Sequence, residues 1–121
     1  MVPPALAVHG ALSRGVLAVT VLVSLAVLFT PGDDVPSSPA GVDKLVHFSL
    51  FAALALAGRW AGLQVRTLVV LLVAYAAGSE VVQWLAPLDR DGSLGDWGAD
   101  VLGIALALLT WEALARRRVS R

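Results

Sequence analysis

Four apolar segments, each long enough to cross a bilayer, dominate this sequence and leave little chain between them. Such a segment crosses lipid as a helix, because a helix satisfies its own backbone polar groups where water is absent. The sequence therefore predicts an all-α, polytopic membrane protein, a four-transmembrane-helix bundle. The predicted spans run from about Ser13 to Phe29, Lys44 to Trp60, Val65 or Arg66 to Ala86, and Asp96 to Ala115.

Composition agrees with this class and excludes several functions. Hydrophobic residues make up 58% of the 121 residues, against about 45–50% in an ordinary soluble domain. We therefore predict one membrane domain over residues 1–121. The formal net charge is zero and no basic stripe is present, which indicates no nucleic-acid partner. Without cysteine, the chain has no disulfide, no thiolate metal site and no thiol nucleophile.

The connections between the spans carry helix start and stop signals. Residues 30–43, TPGDDVPSSPAGVD, predict a solvent-exposed loop. The loop ends at Asp43, a candidate N-cap of the second span. Pro87 ends the third span, and Asp96 is a candidate N-cap of the fourth. Arg14 before the first apolar run also fits a signal peptide. Because no small-x-small cleavage site follows Phe29, we expect a retained span.

The distribution of basic residues predicts the orientation of the chain in the membrane. With four spans, both termini lie on one side of the membrane, and seven of the nine basic residues lie there too. The positive-inside rule makes that side the cytoplasm. We therefore predict a multi-pass protein of the bacterial cell membrane with cytoplasmic N- and C-termini. The seven residues are Arg14, Arg59, Arg66, Arg116, Arg117, Arg118 and Arg121, whereas Lys44 and Arg90 lie on the outer side.

Small residues at four-residue spacing predict close helix packing, because such positions allow backbones to approach each other in lipid. In an alanine-rich chain some of these matches arise by chance. The stripes are Ala53, Ala57 and Ala61 in the second span, Ala74 and Gly78 in the third, and Ala99, Gly103 and Ala107 in the fourth.

Polar side chains gather at the outer ends of the last three spans. Ionisable groups within membrane segments are costly, so they usually face a bundle interior and serve a function. Glu80 is the deepest of them, and a cationic partner such as Lys44, His47 or Arg90 could keep it ionised. We expect one outward-facing pocket formed by Asp43, Lys44, His47, Glu80, Gln83, Arg90, Asp96 and Asp100.

Several of these residues have a structural interpretation as well as a functional one. His47 is a general base, a proton carrier or only a hydrogen-bond donor. Lys44 snorkels to the interface or binds an anionic headgroup, and Arg90 binds a phosphate or pairs with a neighbouring aspartate. Asp100 lies too deep for capping. Imidazole and carboxylates suit a divalent ion, but no tight ligand motif such as HExxH is present. We therefore predict no metal and no cofactor.

The order of these motifs resembles the VanZ-like family of small bacterial integral membrane proteins. The DKxxHF pattern starts at Asp43, and Glu80-x-x-Gln83, Arg90, and Asp96 with Asp100 follow it. The resemblance covers about residues 40–110. It implies a multi-span fold and a contribution to resistance against the glycopeptide teicoplanin. Asp100 stands where the family pattern favours asparagine, which adds a carboxylate to the expected pocket.

Three functions remain open from the sequence, in order of preference. The first is a membrane protein that binds or modulates a lipid headgroup or a lipid-linked cell-wall precursor. The second is an enzyme acting on such a substrate, with Glu80 or His47 as general base and Asp100 assisting. The third is a proton-coupled carrier that uses Glu80, which is least favoured because the inner halves of the spans are nearly apolar. The sequence does not separate the binder from the enzyme and does not determine the oligomeric state.

Overall fold

The described part of the protein is entirely α-helical. The structure is a computed structural model that describes residues 10–29, 42–85 and 94–119. These residues form four helices: α1 (Ala11–Phe29), α2 (Val42–Trp60), α3 (Val65–Leu85) and α4 (Leu94–Val119). The prediction of an all-α chain is confirmed, and each helix overlaps one predicted apolar segment.

Three of the four helices have the length and apolar composition of a membrane span. They are α1, α3 and the Gly95–Arg117 part of α4. These helices indicate a membrane protein. Helix α2 is not among them, since its 19 residues include Asp43, Lys44 and Arg59. The prediction of a fourth span therefore does not follow from helix length and composition alone.

The helices alternate in direction, so the ends of α1 and α3 lie at the same end of the bundle as the starts of α2 and α4. The end of α3 reaches the end of α1 through Gln83 and Leu28. At the same end, Lys44 near the start of α2 contacts Asp96 near the start of α4. Arg59 and Glu112 meet at the opposite end. Buried apolar side chains fill the space between, among them Phe51, Leu54, Leu72 and Ile104.

The most extensive interface joins α2 and α4. It depends on Gly103, where an added Cβ would collide with the backbone carbonyl of Phe48. Ala107, one turn further along α4, is also buried, as its small-residue stripe predicted. The stripe predicted on α3 is wrong, because Ala74 and Gly78 are exposed. Spacing alone did not reveal which face of α3 packs.

The turn between α2 and α3 closes through a Schellman motif. The Leu63 N–H donates to the Gly58 carbonyl at 3.0 Å, and the Gly62 N–H donates to the Arg59 carbonyl at 3.0 Å. Gly62 has a φ of 98°, a left-handed conformation that residues with a Cβ rarely adopt. The Arg59 guanidinium donates to the Leu63 carbonyl at 2.7 Å. The four-residue turn between α2 and α3 is therefore tightly specified.

The structure places Asp96 inside α4 and not at its N-cap, whereas the side chain of the other predicted N-cap, Asp43, lies outside the described residues. Helix α2 already begins at Val42, before Asp43, whose side chain lies outside the described set. Helix α4 begins at Leu94, which places Asp96 inside its first turn. Asp96 is only 3% exposed and faces the bundle, so it makes side-chain contacts with another helix. Helix α4 also continues four residues beyond the predicted end at Ala115, through the basic residues that follow.

Candidate functional site

A histidine on α2 lies at the centre of the polar cluster. The Nδ1 atom of His47 is 2.8 Å from the Oδ1 atom of Asp100 on α4. The same nitrogen is 3.6 Å from the Oε1 atom of Glu80 on α3. Two carboxylates from two other helices therefore converge on one nitrogen of one imidazole ring.

The other side of the imidazole faces the first turn of α4. The Nε2 atom of His47 is 4.0 Å from the Oδ2 atom of Asp96. The second oxygen of that carboxylate, Oδ1, accepts a hydrogen bond from the Lys44 ammonium at 3.3 Å. The Lys44 side chain is 56% exposed whereas that of Asp96 is 4% exposed. Lys44 thus forms a charged rim over a cluster that is otherwise buried.

Burial makes the charges of this cluster interact strongly. His47, Glu80 and Asp100 are all buried, and one ligand-type atom from each lies within 4.8 Å of the others. Two unit charges about 4–5 Å apart repel by roughly 3–4 kcal/mol at an effective dielectric constant of about 20. Protonation of one carboxylate would remove this repulsion, whereas two ionised carboxylates would need a positive charge between them. A proton on the imidazole, a cationic ligand group or a metal ion can supply it.

Gln83 is buried beside this cluster but serves a different contact. Its amide Nε2 donates to the carbonyl of Leu28 at 2.7 Å. That carbonyl belongs to the last turn of α1, where carbonyl groups lack partners within the helix. Gln83 therefore fastens the end of α1 to α3. This is an interhelical hydrogen bond.

The eight predicted site residues thus divide into three groups. Five of them meet in one connected cluster: Lys44, His47, Glu80, Asp96 and Asp100. Gln83 lies one turn from Glu80 and contacts α1. The side chain of Asp43 and the whole of Arg90 lie outside the described residues.

Sequence reasoning missed a second polar contact, deeper in the bundle. The hydroxyl oxygens of Ser24 on α1 and Tyr75 on α3 are 2.8 Å apart. The Tyr75 ring also packs against Phe51, with ring centroids 5.6 Å apart. The signal was present, because Tyr75 is the only tyrosine of the chain and interrupts an apolar run. A hydroxyl at that depth needs a partner.

The residue types of the cluster allow two kinds of chemistry. A histidine whose Nδ1–H donates to a carboxylate is oriented as a general base that works through Nε2. Alternatively His47, Glu80 and Asp100 each offer one atom with which they could hold a metal ion. No protein-family model, no curated protein and no solved structure matches this chain.

Proposed function

We propose that this protein is a four-span, VanZ-like membrane protein that binds or modulates a lipid headgroup or a lipid-linked cell-envelope component. The observation that carries the proposal is the convergence of Lys44, His47, Glu80, Asp96 and Asp100 at one end of an apolar helical bundle. Buried ionisable groups are expensive in a membrane segment and are rarely kept without a role.

The proposed fourth span is α2. Its interface with α4 is the most extensive in the protein, so α2 shares the environment of a helix that can cross a membrane. Its charged residues lie near its two ends, where Lys44 pairs with Asp96 and Arg59 pairs with Glu112. Those ends correspond to the two membrane surfaces. We place the chain in the bacterial cell membrane with both termini in the cytoplasm, which makes the cluster face outward.

The chemistry of the cluster suits a headgroup that carries a phosphate and an amine or hydroxyl. The exposed Lys44 ammonium at the rim would contact the phosphate. Glu80 and Asp100 would accept hydrogen bonds from the amine or hydroxyl group, and a protonated amine would also supply positive charge that offsets their repulsion. Arg90 and Asp43 belong to the same proposed site through their position in the sequence.

Co-purified lipid tests this proposal. The protein is extracted from membranes in mild detergent, and the lipids that remain bound are identified by mass spectrometry. We expect a headgroup-bearing lipid on the unmodified protein and at least about 10-fold less of it on Lys44→Gln and on Glu80→Gln. Glu112→Gln is the matched control, since Glu112 is a carboxylate at the opposite end of the bundle. Equal lipid on all four proteins would refute the proposal.

The contribution to glycopeptide resistance is a separate part of the proposal. It rests on the order of motifs that starts at Asp43 and ends at Asp100. Cells that make the unmodified protein should grow at higher teicoplanin concentrations than cells that make Glu80→Gln at equal abundance in the membrane. Equal growth of both strains at equal abundance would show that the Glu80 carboxylate is dispensable for resistance.

One observation favours an enzyme as the second candidate. The 2.8 Å contact between His47 Nδ1 and Asp100 Oδ1 orients the imidazole so that Nε2 faces Asp96, the carboxylate that contacts the Lys44 rim. A base in that position could take a proton from a hydroxyl group or water at the headgroup. Lipid mass spectrometry of cells with and without the protein separates the two functions. A new or missing lipid species supports the enzyme, and an unchanged lipid population supports the binder.

A further inference from the structure

We propose that His47, Glu80 and Asp100 bind a divalent metal ion, with Zn²⁺ or Mn²⁺ as the best-matched ions. The three residues come from α2, α3 and α4, and each contributes one ligand-type atom within 4.8 Å of the others. All three side chains are buried, so helix packing holds them in place.

The two distances from His47 Nδ1 are near those of a first coordination shell, whereas the carboxylate atoms of Glu80 and Asp100 lie within 4.8 Å of each other and would have to move closer. Nitrogen and oxygen ligands lie about 2.0–2.2 Å from zinc, so two ligands of a tetrahedral ion are roughly 3.4 Å apart. The Nδ1 atom of His47 is 3.6 Å from Glu80 Oε1, close to that separation. It is 2.8 Å from Asp100 Oδ1, so binding requires these two atoms to separate by roughly half an ångström.

The surroundings of His47 provide a second, independent observation. A histidine that binds a metal usually donates its other ring N–H to a carboxylate, which fixes the tautomer and the ring orientation. With Nδ1 facing the proposed ion, Nε2 faces Asp96 Oδ2 at 4.0 Å. Asp96 is itself held by Lys44. At 4.0 Å the Nε2 atom is beyond hydrogen-bond distance of Asp96, so this support of the ring requires the two groups to move closer when the ion binds.

A metal ion accounts for the convergence of all three ligand-type atoms. The single hydrogen of a protonated Nδ1 can point at one carboxylate, and Asp100 is the nearer one. A divalent ion placed between the three residues would contact both carboxylates and the imidazole nitrogen together. Imidazole suits zinc and carboxylates suit manganese. Three protein ligands leave at least one position for water or for a phosphate oxygen.

Metal titration of purified protein tests the site. Protein in detergent is stripped with a chelator, titrated calorimetrically with Zn²⁺ or Mn²⁺, and its bound metal is counted by elemental mass spectrometry. We expect one ion per chain. Glu80→Gln and Asp100→Asn should each weaken binding at least about 10-fold. Asp96→Asn should weaken metal binding by no more than about 100-fold, because Asp96 acts on the ion only through His47.

Two controls keep the result specific. All proteins carry His9→Ala, which removes the other histidine of the chain. Glu112→Gln removes a carboxylate at the opposite end and should leave binding unchanged. Each variant is compared for helical circular dichroism and elution volume. Asp100→Asn keeps the shape of the side chain and an oxygen that can accept a hydrogen bond from the His47 N–H. It leaves Glu80 in place, so it tests the contribution of Asp100 alone to metal binding.

Two outcomes would overturn the proposal. One is no bound metal on the unmodified protein. The other is equal affinity in Asp100→Asn and Glu112→Gln, which would show that any bound metal lies elsewhere. The metal count uses no lipid and the lipid measurement counts no metal, so failure of this inference is distinguishable from failure of the proposed headgroup binding.

Discussion

The Nδ1 atom of His47 lies 2.8 Å from the Oδ1 atom of Asp100, across the interface between α2 and α4. The close approach of the two helices explains how this contact is reached. Gly103 follows Asp100 by about one helical turn and faces the backbone of Phe48, the neighbour of His47. Because Gly103 has no side chain, the two helices approach closely enough to position the buried His47–Asp100 pair about one turn away.

A methyl group at Gly103 should disrupt this interface. Gly103→Ala places a Cβ against the Phe48 carbonyl, a backbone atom that cannot move aside cheaply. We expect a loss of about 1–3 kcal/mol in the free energy of unfolding, as in other overpacked cores. The matched control is Gly98→Ala on the same helix, where nothing lies within 4 Å of the added Cβ. It should be neutral or stabilising by up to about 1 kcal/mol. Equal stability of both variants in detergent unfolding would contradict the packing described above.

The His47–Asp100 pair should show energetic coupling. In a double-mutant cycle with His47→Gln and Asp100→Asn, we expect a coupling of roughly 1–2 kcal/mol, at the upper end of interhelical hydrogen bonds in membranes. The reason is that the pair is buried and can be charge-assisted. The cycle of His47→Gln with Glu112→Gln serves as the reference, because Glu112 lies at the opposite end and should give additive effects. A coupling energy no larger than that of the reference cycle would show that His47 and Asp100 do not stabilise each other.

Two hydrogen bonds should determine how firmly α1 is attached. Gln83→Met keeps the bulk but removes the donor to the Leu28 carbonyl, at a cost of about 1–3 kcal/mol for a buried acceptor left unsatisfied. Tyr75→Phe removes the contact with Ser24 and keeps the ring, so it should cost only about 0.6 kcal/mol.

Spin labels can follow the position of α1 in these variants, because the chain has no native cysteine. Labels at Leu22 on α1 and Val70 on α3 use two exposed positions. The distance distribution between them should broaden more in Gln83→Met than in Tyr75→Phe. Unchanged distributions and stabilities would show that apolar packing alone holds α1.

Reporter fusions should establish whether α2 crosses the membrane. We expect a fusion after Pro36 to report the outside, and fusions after Gln64 and after Arg121 to report the cytoplasm. The reason is the split of basic residues between the two sides. Reports from the same side at Pro36 and Gln64 would show that α2 does not cross. An outward-facing fusion after Arg121 would reverse the proposed orientation.

Hydropathy and the order of the segments are enough to predict the helices and the neighbourhood of the polar residues. Apolar runs of membrane-spanning length define helix extent locally, and an up-and-down order then brings the starts of α2 and α4 beside the end of α3. That is why the sequence predicts that Lys44, His47, Glu80, Asp96 and Asp100 lie in one neighbourhood.

Which atoms meet depends on how the helices pack against each other. Hydropathy does not set the rotation of a helix about its axis, because lipid and a bundle interior are similarly apolar. The rotation follows from side-chain packing, which turned Ala74 and Gly78 outward and Asp96 inward. The same packing brought Ser24 to Tyr75 and gave one imidazole two carboxylate neighbours. Such contacts join residues more than 30 positions apart, so they depend on how the helices pack rather than on any local pattern.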